Sequence, residues 1–160
     1  MSPVNLVPPP ARRAAWKRPR APRTAPAAQD AALLDAAAQE FNARGVAGAR
    51  LARIAQAIGL RRAALYYYVD SREELAHRCY VRACQATAQD LAAARAEGGK
   101  GLAQLEAYLR LALDPARAPA VVLSEIAYLT GAHRTAVAAA PAANIKRLRR
   151  VIATGMADGS

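Results

Sequence analysis

The run from Arg50 to Leu75, RLARIAQAIGLRRAALYYYVDSREEL, leaves this chain fewer folding choices than any other stretch. Leu51, Ile54, Ala55 and Ile58 stand at i, i+3, i+4 and i+7, one face of a short helix. Gly59 follows them and tolerates the left-handed conformation in which helices commonly end. A second short helix begins at once. Leu65 and Val69 bury its inner side, while Arg61, Arg62, Tyr66, Tyr67 and Tyr68 lie on or beside the outward arc with no acidic residue among them. Two short helices joined through a glycine turn, the second basic and tyrosine-bearing outside, form the helix-turn-helix pattern.

The surrounding composition suits that pattern. The apolar fraction of 54% is mostly alanine and leucine, which favours helix over strand, so an all-α architecture is expected. The net charge of +11 points to a polyanionic partner, either nucleic acid or an acidic membrane surface. Its distribution is uneven: six basic and no acidic residues up to Ala28, seven against six from Gln29 to Tyr80, ten against six beyond. No uninterrupted apolar run approaches the ~20 residues of a membrane span, and the N-terminus lacks the apolar centre of a secretory signal. A cytoplasmic protein without a membrane segment is the expectation. Cys79 and Cys84 would point about 140° apart on one helix, which excludes a disulfide between them and predicts reduced thiols.

Residues 1–28 hold seven of the ten prolines together with Arg12, Arg13, Lys17, Arg18, Arg20 and Arg23. Such a segment predicts a disordered basic arm, read either as a solubilising tail or as an arm lying along DNA. A first helix is predicted from Asp30, with Leu34, Ala37 or Ala38, and Phe41 as its apolar stripe and Gly45 as its stop. Ser71 and Glu74 form a capping box that opens a long helix running to about Ala96, before Gly98-Gly99. Further helices are predicted over Gly101–Leu113, Ala118–Thr130 and about His133–Gly155, the last either kinked or restarted at Pro141. Domain limits of 29–75 and 76–160 follow. The basic run Lys146, Arg147, Arg149, Arg150 reads as a solvated helix face.

Over about forty-five positions, LLDAAAQEFNARGVAGARLARIAQAIGLRRAALYYYVDSREEL resembles the N-terminal domain of TetR/AcrR-family transcriptional regulators. The resemblance rests on the first helix closing on Phe41, the Arg44-Gly45 turn, Ile54-Ala55 with Gly59, Leu65-Tyr66, and Ser71 to Leu75. It implies a three-helix DNA-binding domain, a helical ligand-binding domain behind it, and a homodimer that takes a small-molecule effector and binds a palindromic operator, commonly as a repressor. Family members normally continue with two more helices that form the dimer interface, and this sequence ends before them. Ala49-Arg50 replaces the usual hydroxyl cap of the second helix, and Arg61-Arg62-Ala63-Ala64 replaces the common opening of the reading helix.

Residue chemistry assigns roles within that frame. Arg61 or Arg62, with Arg62 favoured, can make a bidentate contact to guanine, and Ala63 and Ala64 permit close approach to a thymine methyl. Tyr66 and Tyr67 offer phenolic donors to phosphate, Tyr68 keeps ring and donor beside them, and Arg50 can reach a phosphate. Arg72 matches the family position of a phosphate-binding base. Tyr80, Cys84, Tyr108, Tyr128 and His133 are candidates for a ligand cavity, or else ordinary core residues. Only two histidines, no metal-ligand cluster and no nucleophile or phosphate-loop motif argue against an enzyme and predict no metal or cofactor. The competing reading is an α-helical protein-interaction module whose charge serves solubility.

Overall fold

The computed structural model describes residues 27–121, 129 and 131–160. Among them the chain is entirely helical outside turns and loops: α1 (Ala27–Gly48), α2 (Leu51–Ala57), α3 (Arg62–Leu65), α4 (Arg72–Ala96), α5 (Gly101–Ala112) and α6 (Gly131–Asp158). Residues 1–26 of the predicted arm, Trp16 among them, lie outside the described residues, as does most of the helix predicted over Ala118–Thr130, while Ala27 and Ala28, expected at the end of the arm, form the start of α1. The start of that prediction fails, because residues 118–121 are described and are not helical.

Helix α1 carries its expected apolar stripe, with Leu34, Ala37, Ala38 and Phe41 buried, and Leu33, outside that expectation, is buried with them. Gly45 breaks it, at φ 68° and ψ 170°, and one more turn follows before Ala49. The helix starts three residues before Asp30, which lies in its first turn, where a carboxylate favours the helix N-terminus, and pairs with Arg78 of α4. Ile54 and Ala55 of α2 and Leu65 and Val69 around α3 share one core cluster with the buried side of α1, all at 1% exposure or less. Gly59 takes φ +70° between them, the left-handed turn its position required.

The capping box at Ser71 forms with one shift. Ser71 Oγ accepts the backbone N–H of Glu74 at 3.0 Å, but the Glu74 carboxylate takes the N–H of Asp70 at 2.7 Å. Helix α4 then runs to Ala96, the limit that Gly98 and Gly99 set with φ of 78° and 84°. It belongs to both halves of the molecule. Leu75, Ala76 and Cys79 join the core of the head, and Val121, Leu129 and Val137 extend that same cluster rearward.

Behind the head, α6 lies along α4 in the same direction, since His133 meets His77 and Asn144 Nδ2 donates to the Cys84 carbonyl at 2.8 Å. It continues unbroken through Pro141. Helix α5 runs opposite to α6, with Gly101 against Gly155. The first turn of α5 is capped from the other end of the chain: Asp158 Oδ2 accepts the Gly101 N–H at 2.8 Å and Ser160 Oγ accepts the Leu102 N–H at 3.0 Å. Hydrogen bonds to Asp158, that from Ser160 first and then that from Gly101, hold its carboxyl below its ordinary pKa.

Candidate nucleic-acid interface and rear cavity

The outward surface of the α2–α3 unit is built on one turn. Helix α3 proper ends at Leu65, shorter than expected, and Tyr66 to Tyr68 continue as tighter turns, with Tyr67 N to Ala64 O at 3.0 Å and Tyr68 N to Leu65 O at 2.9 Å. The sequence gives the reason. Arg61 at the N-cap supplies no side-chain acceptor, and three consecutive aromatic residues are weak helix formers. A helix this short holds its orientation only through its ends and its buried side. Leu65 and Val69, both fully buried, fix that side.

Arg61, Arg62 and Ala63 are exposed, Ala64 is half-buried, and Tyr66 and Tyr67 are 37% and 67% exposed. Arg62 Nη2 lies 3.4 Å from the Tyr66 hydroxyl, one turn on, so the guanidinium is drawn along the outer face of this turn. Tyr68 differs from its two neighbours. It packs on the core, and its hydroxyl reaches Gln29 of α1 at 3.5 Å. Arg50 is exposed at the start of α2 and makes no side-chain cap, as its type implies; its backbone N–H is held instead by Glu40 of α1 at 3.1 Å. Arg53, one turn into α2, is exposed as well.

Arg72 has structural partners. Its Nη1 donates to the carbonyls of Ala47 and Ala49, at 2.5 and 3.4 Å, and so ties the turn between α1 and α2 to α4. Sequence reasoning missed Arg78, which reaches three elements: Nη1 donates to the Tyr68 carbonyl at 3.0 Å, Nη2 pairs with Asp30, and Glu74 lies 3.8 Å away. It fastens the exit of the reading turn to α1 and α4 together. Its i,i+4 spacing from Glu74 reads as an ordinary exposed helix pair, and the partners that give it its role, Tyr68 and Asp30, lie 10 and 48 residues away.

The rear candidates separate into two places. Tyr80, Cys84 and Tyr108 line a cavity of 320 Å³ together with Thr87, Val121 and Asn144. His133 is elsewhere, against His77 in a tilted contact with ring centroids 4.8 Å apart and planes at 47°. Tyr128 lies outside the described residues. Cys79 and Cys84 are free thiols, and burial pushes that of Cys79 up to about 12 and raises that of Cys84. Among the described residues no group of three or more His, Cys, Asp or Glu is placed to hold a metal ion, and no helix is long and apolar enough to cross a membrane.

The histidine pair makes stability depend on pH. Burial first, and then the charge of His133, hold the His77 pKa below its ordinary 6.5, with Glu74 pulling the other way. The folded state therefore favours neutral imidazole. That stabilisation is complete above 6.5 and is lost as pH falls below it. Thermal melting midpoints should drop between about pH 7 and pH 5, and His77→Gln should flatten that part of the profile.

Residues 33–79 match the family model described as bacterial regulatory proteins, tetR family. The chain therefore carries a TetR-family N-terminal domain over residues 33–79. Its fold is similar to the crystal structure of a TetR family transcriptional regulator, PfmR, from Thermus thermophilus, with a TM-score of 0.57. The two are 23% identical, over 79% of this chain and 71% of PfmR. No curated protein matches. The TetR-family match spans α1 through the first turns of α4, the elements that carry the exposed arginines and tyrosines described above, and identifies a DNA-binding transcriptional regulator.

Proposed function

We propose that this TetR-family chain is a ligand-responsive repressor that binds a palindromic duplex site as a homodimer, acting by binding and not by catalysis. One observation carries the reading. Arg61, Arg62, Ala63, Tyr66 and Tyr67 are exposed together on a single turn whose opposite side is anchored by fully buried Leu65 and Val69. Such a turn can enter a major groove, with Arg62 against a guanine edge and Ala63 and Ala64 allowing the backbone close. Tyr66, Tyr67, Arg50 and Arg53 would hold phosphates at the flanks, which fixes register without reading sequence. Arg72 and Tyr68 act from behind, through the bonds that orient this surface.

Self-association has its own support. Leu102 and Leu109 of α5 with Leu113 at its C-cap, and Ile145, Ile152 and Met156 of α6, are all at least 44% exposed, and each set repeats at i, i+7 and i+11. Two copies can bury such stripes against each other about a two-fold axis. The 320 Å³ cavity is of the size that takes a small organic effector.

Duplex binding at graded ionic strength tests the reading. Six or more phosphate contacts predict a loss of about a thousandfold or more in affinity between ~50 and ~200 mM salt. Selection from random duplexes should return a two-fold symmetric consensus. A flat salt response with no enriched sequence would leave the protein-interaction module as the better account.

A further inference from the structure

Three consecutive residues, Pro119 to Val121, touch both the rear cavity and the head. Ala120 and Val121 form part of the cavity wall, and Val121 is 5% exposed within the core cluster that contains Phe41. The carbonyls of the same segment hold the head. Ala120 O accepts from Asn42 Nδ2 of α1 at 2.9 Å, and Pro119 O accepts from Arg82 Nη2 at 3.4 Å. Arg82 in turn places Nη1 2.7 Å from Asp35 Oδ1 of α1. Just upstream, Arg117 is pinned by the buried Asp90 of α4 and by the Leu111 carbonyl at 3.0 Å.

The segment is thus anchored at one end, walls the cavity with its side chains, and grips α1 with its backbone. Helix α1 also bears on the reading turn, through Gln29 to the Tyr68 hydroxyl and through Asp30 and Arg78 to the Tyr68 carbonyl. A displacement of about 1 Å at Ala120 is enough to take the Asn42 bond out of hydrogen-bonding range. We propose that Pro119–Val121 is the link through which filling the cavity resets α1, and with it the reading turn, and that Asn42 is the residue that carries the coupling. This inference rests on the reading of the head as DNA-binding and of the cavity as an effector site.

The test needs a defined occupant, and Cys84 provides one. Its thiolate attacks benzyl methanethiosulfonate, methanesulfinate leaves, and a benzyl disulfide remains inside the cavity. Cys79, 1% exposed, stays unmodified, with mass spectrometry and Cys84→Ser as controls. Affinity for the duplex recovered by selection is then measured for the full chain with and without the label, in wild type, in Asn42→Ala and in the isosteric Asn42→Asp, which cannot donate to the carbonyl. The label should change wild-type affinity by about 5- to 150-fold, the range of an allosteric coupling. It should change either Asn42 variant less than about twofold, while both unlabelled variants still bind. Equal label effects in wild type and variants would overturn the proposal and put the signal on α4. A label without effect in wild type would overturn it with DNA reading intact. Failure of every unlabelled protein to bind duplex would overturn the proposed function and this inference together.

Discussion

Replacing Arg62 by alanine is expected to erase base preference at one position in each half of the selected site while leaving binding to unrelated duplexes nearly unchanged. A bidentate arginine contact to guanine contributes about 1 to 3 kcal/mol of discrimination, so affinity for the preferred site should fall by roughly 5- to 150-fold. Arg62 is exposed and drawn along the turn by Tyr66, with no carboxylate holding it elsewhere in the hydrogen bonds and ion pairs it makes among the described residues. Tyr66→Phe supplies the contrast. It removes a phenol placed for phosphate, and should weaken binding to preferred and unrelated sequences alike. The two variants are compared by titration at matched salt. If Arg62→Ala weakened all sequences equally, the arginine would be a phosphate ligand and the groove-facing residue would lie elsewhere on the turn.

Gly101→Ala should be the most destabilising small substitution in the rear of the molecule. An added Cβ would sit 2.0 Å from the Gly155 nitrogen and 2.3 Å from its Cα, and both are backbone atoms that cannot swing aside. Helices α5 and α6 would have to separate, breaking the bonds from Asp158 and Ser160 to the start of α5. Overpacking of this kind costs about 1 to 3 kcal/mol. At this chain length that lowers the melting midpoint by about 3 to 10 °C. Gly155→Ala should behave oppositely, since its Cβ would meet Gly101 C, Leu102 N and Ser160 Oγ at an ordinary 3.5 Å. Relief of glycine's helix penalty, up to ~1 kcal/mol, then leaves the midpoint unchanged or raised. Equal losses in both variants would mean that the crossing is looser than these distances require.

What the sequence determined by itself was everything with a local cause. Apolar spacing of three and four placed α1 and α2, the left-handed positions at Gly45, Gly59 and Gly98 ended or broke helices where glycine stood, and Ser71 with Glu74 opened α4. The outward exposure of Arg61, Arg62 and Tyr67 followed from the same periodicity once Leu65 and Val69 were taken as buried. Only tertiary structure decided the rest. It turned Tyr68 toward Gln29, engaged Arg72 with the Ala47 and Ala49 carbonyls, and sent His133 to His77 instead of the cavity. It also brought Asn42 to Ala120 and Gly101 to Gly155, across 78 and 54 positions of chain. Helical periodicity reports which side of an element faces apolar surroundings, because that depends on neighbours three and four residues away. The partner a polar side chain meets depends on how whole helices cross, and no repeat in the sequence records it.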